Sequence, residues 1–395
     1  MSIDMKDSKY QSSIDACAAH YGDEAEAVRR YLLQGEQEAY QLDNRGKIRF
    51  TPEGDLHPSI REAYANFGFY VFTDVIGDAE MSDILEDLAE LRSRFPTEKG
   101  AKTDSKGRPA LGTDRKSGGL LWSKPLSDPM GGTQIARGRH QIKLKDLDPG
   151  EGAPKEAPFI LSGSLQFSDA ALRLYAHPSL LAVAAAINGD DFAPFNEVLF
   201  IKDPGLGAAV SWHQDGDTHW DNPNFDADIH GFNFMAQVYG STPVNGVWVI
   251  PGTHKLGKLD ITKMVEASGS ERINGAIPIV CDPGDVVICN RQLVHGSFAN
   301  SGFEPRLTIN FGFHKRSSVL DVRGAGIHSE AIVYTDEVIQ ERAKAIGYGI
   351  SARQQRYPQE APFEYLPLSN SHLDLTWNES ARASLKDYNA LDLSI

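Results

Sequence analysis

The chain has 395 residues, 41% of them hydrophobic, and a formal net charge of −15. That is enough apolar material for a substantial core in one large or two moderate domains, and so negative a surface repels nucleic acid and anionic membranes. Three cysteines without metal-type spacing (Cys17, Cys281, Cys289) argue against a disulfide framework. No apolar run approaches a membrane helix, and the polar start MSIDMKDSKYQSS has no signal pattern, so a cytoplasmic location is expected.

Residues 9–42 carry small and apolar residues (Ala16, Ala19, Tyr21, Ala27, Tyr31, Leu32, Leu33) among many charges, which predicts one or two amphipathic helices on the main body. From 58 the chain predicts a helix, a strand through FGFYVFTDV, and a second helix with Met81, Ile84, Leu85, Leu88 and Leu91 at helical spacing. Asp78 is placed to cap it, with Glu80 and Asp83 near its positive end. Residues 92–145 have no sustained period and are rich in Gly, Pro, Ser, Lys and Arg, which predicts a long functional or disordered loop. Thirteen basic residues against four acidic ones give this stretch a charge of +9. It reads either as a solvated loop pairing with acidic surface elsewhere or as a lid that attracts an anionic substrate.

Residues 168–188 predict a helix, a turn and an almost wholly apolar, buried helix, with His177 before Pro178 in a structural role. After about 193 the pattern changes to short strands: FNEVLFIKD, AVSWHQD, GFNFMAQVYG, GVWVIPG, IPIVCD, DVVICNRQLVHG and RLTINFGFHK. Pro-Gly, Asn-Gly and Asp-Pro-Gly turns separate them, and the whole predicts a β-sandwich or jelly roll. Beyond 317 a helix is expected across 336–346, then a loop-rich tail.

The strongest chemical signal is SWHQDGDTHW, residues 211–220. In an extended strand His213 and Asp215 point the same way while Gln214 points the other. A third ligand is expected from His295, where the apolar run of GDVVICNRQLVHGS, read as a buried strand, ends in His-Gly. Two histidines and a carboxylate can occupy one face of an octahedral ion and leave the other open. In RLTINF, Arg306, Thr308 and Asn310 share one face of a strand and Leu307, Ile309 and Phe311 the other. A guanidinium there, eleven positions after His295, suits a bidentate grip on a carboxylate, with the Thr308 hydroxyl assisting.

The run from FIKDPGLGAAVSWHQDGD through NGVWVIPGTHK to PGDVVICNRQLVHGS and PRLTINFGFH resembles the phytanoyl-CoA dioxygenase family of iron(II)- and 2-oxoglutarate-dependent oxygenases. The resemblance covers roughly residues 60–316, includes GFYVFTDVIGDAEM, and is strongest over 195–316. It implies a mainly β α+β fold: a double-stranded β-helix (jelly roll, cupin-like) with flanking helices. It implies Fe(II) held by His213, Asp215 and His295, 2-oxoglutarate anchored by Arg306 and Thr308, and O2 as oxidant. Lys202 and Gln237 match positions that lie near the co-substrate in related enzymes. A carboxylate at 215, where halogenating relatives keep a small residue, disfavours halogenation and leaves hydroxylation as the default. Desaturation, ring formation and epimerisation stay open.

His219, Trp220 and His230 are candidates to line the substrate pocket, against a turn with an aromatic plug; Arg137 and Arg139 are candidates to meet an anionic substrate. His254 and Lys255 read as turn residues, Trp212 and Trp248 as core. The expected organisation is one catalytic domain. It comprises an N-terminal helical extension (1–58), a dioxygenase domain (59–316, jelly-roll core about 193–316, basic loop insert 92–145) and a C-terminal extension (317–395) that, like the first, is open to roles in dimer contact or substrate enclosure. The expected partner is a small-molecule substrate, with no nucleic acid and no membrane; a homo-oligomer is left open. Two other readings remain: a zinc or manganese hydrolase or isomerase on a cupin-like barrel, and a non-catalytic jelly-roll binding protein.

Overall fold

The computed structural model describes residues 8–116, 119–133, 138–215, 231–325, 331–369 and 371–393. Helices α1 (Gln11–Ala19) and α2 (Ala25–Gln41) precede strand β1 (Arg45–Gly46), helix α3 (Pro58–Phe67), strand β2 (Phe69–Phe72) and helix α4 (Asp78–Ser93). After a long, largely irregular stretch come β3 (Leu120–Ser123), β4 (Ala157–Ser162), α5 (Asp169–Tyr175) and α6 (Pro178–Asn188). The strands β5 (Ala193–Lys202), β6 (Val210–His213), β7 (Gly231–Gln237) and β8 (Trp248–Val249) follow. Next are α7 (Ile261–Ser268), β9 (Ile277–Pro278), β10 (Val286–Asn290), β11 (His295–Ser297) and β12 (Arg306–His314). A single turn α8 (Arg316–Val319) and the 21-residue α9 (Asp336–Arg356) lead into the tail.

Eight strands form one sheet in the order β1-β2-β10-β7-β12-β5-β4-β3, and four form a second, β6-β11-β8-β9. From β5 to β12 the chain passes back and forth between the two sheets, which is the expected double-stranded β-helix. Strand β12 is buried on both faces, one apolar and one polar. Leu307, Ile309, Phe311 and Phe313 join Leu199, Ile201, Phe232 and Phe234 under a helical layer from α4, α5, α6 and α9. Arg306, Thr308 and Asn310, alternating with them, face a cavity inside the β-helix.

The smaller sheet is covered from outside by α1 and α2, whose Ile14, Cys17, Val28, Leu32 and Leu33 pack on Trp212, Trp248, Val294 and Phe298. Tyr31 stacks on Trp248 with ring centroids 4.6 Å apart, and Gly35 is required beside it because a Cβ there would meet the indole at 2.5 Å. Arg272 is wedged between the rings of Tyr21 and Phe298, 4.3 and 4.4 Å from their centroids, which ties the connection between α1 and α2 to the smaller sheet. No described residue before 59 or after 316 lines the cavity, so neither extension encloses it among the described residues. No single helix there is long and apolar enough to cross a membrane.

Four local expectations are corrected. Gly77, with no side-chain cap, is the N-cap of α4, and Asp78 is its first residue; Leu85 is 37% exposed and not part of the core. The run GDVVICNRQLVHGS is two strands, because the chain turns after Asn290, whose side-chain oxygen accepts the Gln292 N–H, and crosses to the other sheet before His295. Helix α9 runs ten residues further than 346. Its glycines do not end it but serve as contact points: a Cβ at Gly349 would lie 2.7 Å from Ala176 and 2.8 Å from the Leu172 carbonyl. The basic stretch pairs in part with acidic surface outside it, one of its two expected readings: Arg92–Asp203, Lys99–Glu156, Arg108–Glu90 and Lys143–Asp146 offset four of its nine net charges.

The tail is fastened by a fully buried pair, Arg342 of α9 with Asp392, while Arg342 also donates to the Phe195 carbonyl (2.8 Å). Removing one member leaves a buried charge without its partner. Arg342→Met should therefore destabilise the protein by about 3–5 kcal/mol, read as a lower urea midpoint; an unchanged midpoint would show that the pair does not hold the tail.

Candidate metal centre

Strands β6 and β11 pair antiparallel with His213 directly opposite His295, and their ring centroids lie 4.2 Å apart. Gly296 allows this approach: a Cβ there would meet the Val210 carbonyl at 3.0 Å and the Trp212 nitrogen at 3.1 Å. Each imidazole donates its Nδ1–H to the carbonyl two residues earlier, His213 to Ser211 and His295 to Leu293, both at 2.8 Å. The tautomer is thereby fixed, and both Nε2 lone pairs are left for a metal. Gln214 turns away, donating to the Gly257 and Gln292 carbonyls and accepting from the Leu259 N–H. Asp215 brings Oδ1 to 3.5 Å from His213 Nε2 and Oδ2 to 4.0 Å from His295 Nε2. All three residues are buried, and one donor atom from each lies within 4.8 Å of the others.

The Asp215 carboxylate is held from behind. Its backbone N–H donates to the Arg291 carbonyl (2.7 Å), Asn233 Nδ2 donates to Oδ2 (3.1 Å), and Arg291 Nη1 donates to Asn233 Oδ1 (2.9 Å). Arg291 Nη2 is 3.7 Å from Oδ2, its guanidinium lies 4.4 Å from the Phe195 ring centroid, and Arg139 Nη1 reaches Oδ1 at 3.4 Å. Burial alone raises this carboxyl, yet Arg291, His295 and Arg139 outweigh it and hold Asp215 below its ordinary value. Burial, then His295, His140 and Arg139, push the His213 imidazole well below its usual range. One anionic and two neutral imidazole donors are the protonation states that a divalent first-row ion requires.

Arg306 is buried in the same cavity with no carboxylate within 4 Å among the described residues. Its Nε donates to Thr308 Oγ1 (3.0 Å) and its Nη1 to the Asn245 carbonyl (3.2 Å). Burial pushes this guanidinium down to about 10. A buried cation without a counter-charge fits an incoming carboxylate. Thr308 Oγ1 in turn donates to Gln237 Oε1 (3.0 Å).

Lys202 and Gln237 stand just behind the cavity wall, next to Arg306 and Thr308. Lys202 sits opposite Arg306 in the β5·β12 register, but its Nζ donates to Ser297 Oγ (2.9 Å), and burial, then Arg306, hold its amine well below the ordinary value. Lys202 thus reaches Ser297 and Gln237 reaches Thr308, both of which line the cavity. Arg137, His219, Trp220 and His230 lie outside the described residues. Arg139 alone of the proposed substrate contacts is seen in the cavity wall.

The cavity is mostly apolar, lined by Leu121, Met130, Ile160, Val198, Phe200 and Met235 around the polar groups already named. It also contains His140, which sequence reasoning missed, as it missed Asn233 and Arg291. His140 is fully buried, its ring centroid 4.2 Å from that of His213, and burial, then Arg139, push it down to about 3. The loop sequence around it has no period that could have pointed inward.

Two sheets closed around a buried cavity, with two imidazoles and a carboxylate converging inside it, define a jelly-roll protein with the donor set of a mononuclear metal enzyme. The family model of phytanoyl-CoA dioxygenase (PhyH) matches residues 64–308, more than half of the chain, and the chain belongs to that family. The family is one of dioxygenases. Dioxygenase lolE1 of Epichloe uncinata is 29% identical over 159 residues, 38% of this chain and 57% of that enzyme, so the chain spans little more than half of that relative. Among solved structures, EctD from S. alaskensis with 2-oxoglutarate and 5-hydroxyectoine is 20% identical (71% of this chain, 82% of EctD, TM-score 0.48). The alpha ketoglutarate dependent epimerase SnoN from nogalamycin biosynthesis is 16% identical (65% of this chain, 82% of SnoN, TM-score 0.41).

If Asn233 and Arg291 orient the carboxylate, Asn233→Leu should weaken iron(II) binding by about 10- to 100-fold while leaving the fold intact. Anaerobic equilibrium dialysis measures it; wild-type affinity in the variant would reduce the clamp to a packing feature.

Proposed function

We propose that this dioxygenase hydroxylates a small organic substrate held in the cavity, with 2-oxoglutarate and O2 consumed and succinate and CO2 released. His213 and His295 through Nε2, and Asp215 through its carboxylate, would hold iron(II). The observation that carries the reading is the presence, in one buried cavity, of this donor set and of the uncompensated Arg306 with its Thr308 partner. When bound, the iron supplies the redox chemistry that couples O2 to oxidation of the substrate and decarboxylation of the 2-oxo acid.

The protein's share is binding, orientation and exclusion of water. Arg306 offers a charge-assisted grip on the far carboxylate of 2-oxoglutarate, and Gln237 turns the Thr308 hydroxyl while Thr308 accepts from Arg306, so the anchor is set before the co-substrate arrives. The hydrogen bonds on Nδ1 keep both imidazoles neutral and aimed. Leu121, Met130, Ile160 and Val198 give the prime substrate an apolar bed that keeps water from the reacting carbon. A zinc or manganese hydrolase would have no use for Arg306, and a binding module none for the fixed imidazole tautomers.

The test is succinate formation from 2-oxoglutarate by iron-loaded protein in air, which uncoupled turnover makes measurable before the prime substrate is known. His213→Ala should bring it to background without shifting the thermal melt of the metal-free protein. Succinate formed at the wild-type rate in that variant would remove the proposed ligand set.

A further inference from the structure

The loop carrying Arg139 and His140 is tied back on itself. Buried Asp128 accepts the Gly131 N–H with one carboxylate oxygen (2.9 Å) and the Leu144 N–H with the other (2.7 Å), and its own N–H donates to Asp146 (2.9 Å). The Gly132 N–H donates to the His140 carbonyl (2.8 Å). The Gln141 side chain donates to the Leu259 carbonyl and accepts from the Ile261 N–H, both at 3.1 Å. These bonds set the two side chains in the cavity wall next to His213.

His140 is fully buried there, and neither of its ring nitrogens has a hydrogen-bond partner among the described residues. Buried polar groups are otherwise paired almost everywhere in folded proteins, so an imidazole left this way in a cavity wall marks a place that a ligand completes. Its neighbour Arg139 lies in the same wall, with Nη1 3.4 Å from Asp215 Oδ1, and brings a positive charge to that space. The wall formed by Leu121, Met130, Ile160 and Val198 carries no charge.

We propose that Arg139 and His140 form an anchoring subsite for a carboxylate of the prime substrate, whose hydrocarbon part lies along Leu121, Met130, Ile160 and Val198. The subsite rests on the oxygenase reading of the cavity and narrows its substrate to a carboxylic acid with an apolar body. Two carboxylate oxygens match one guanidinium edge and one imidazole N–H. A phosphate group would turn a third charged oxygen toward the apolar wall, where nothing pairs with it. The anionic substrate suggested by the +9 stretch is thus retained, but it is recognised by two residues at the reacting end and not by the basic surface.

The experiment loads full-length protein anaerobically with iron(II) and 2-oxoglutarate and confirms the absorption band of that complex. It then titrates in hexanoate, octanoate and cyclohexanecarboxylate by calorimetry, each beside its primary carboxamide and its phosphonate. The acids should bind wild-type protein about tenfold or more tighter than the amides. His140→Leu and Arg139→Met should each bring acid and amide to parity, and His140→Gln, which keeps a donor, should retain part of the preference. The band should persist in His140→Leu, which separates lost recognition from lost metal. The proposal is overturned if amides bind as well as acids, if phosphonates bind more tightly, if no member binds, or if the preference survives in His140→Leu. Absence of the band in wild-type protein, seen before any probe is added, overturns the oxygenase reading instead.

Discussion

The pairing of β6 with β11 is the constraint on which the site depends. It sets His213 opposite His295, and the glycine after His295 lets the two backbones come close enough for both rings to face one point. The rest of the β-helix serves this contact. Helices α1 and α2 seal the smaller sheet from behind through Trp212 and Trp248, while the larger sheet supplies the opposite wall and is itself backed by the helical layer. A one-residue slip would turn both imidazoles out of the cavity, so the register is fixed by the apolar faces on either side.

Enclosure has an electrostatic consequence. Asp215, Arg291, Arg139 and Arg306 are all buried around the cavity, where an unpaired charge is costly. The carboxylate is stabilised because cations and an amide surround it, and the chain Arg291–Asn233–Asp215 fixes its direction as well as its charge. Arg306 differs, since its neighbours are a hydroxyl and a carbonyl and not an acid. A protein that keeps such a cation buried has a site completed by an anion, which connects the fold's energetics to the dicarboxylate co-substrate proposed for it.

The order of elements and the core of the site were legible in the sequence because they obey short periods. Alternation in RLTINF placed Arg306 and Thr308 on one face, and HQD placed two donors together with Gln214 pointing away, all as observed. What escaped notice depends on contacts distant along the chain. Asn233 and Arg291 look like ordinary residues of a strand and a turn until the β7·β10 pairing brings them together. His140 lies in a loop without periodicity and is aimed by Asp128 and Gln141. The basic stretch left two readings open for the same reason: its charge is local in sequence, but Asp203 and Glu156, which offset part of it, lie outside the stretch. The strand break after Asn290 was hidden because the residues on both sides are apolar and buried in different sheets.

The central claim is that His213, Asp215 and His295 hold iron while Arg306 anchors 2-oxoglutarate. Its most direct test is an anaerobic titration of metal-free protein with iron(II) and 2-oxoglutarate, followed by visible absorption and compared with Arg306→Ala. The account predicts a metal-to-ligand charge-transfer band in the wild type that requires both additions, and in the variant a band that needs far more 2-oxoglutarate to appear. Metal bound without any band, or a band formed equally well without Arg306, would contradict it.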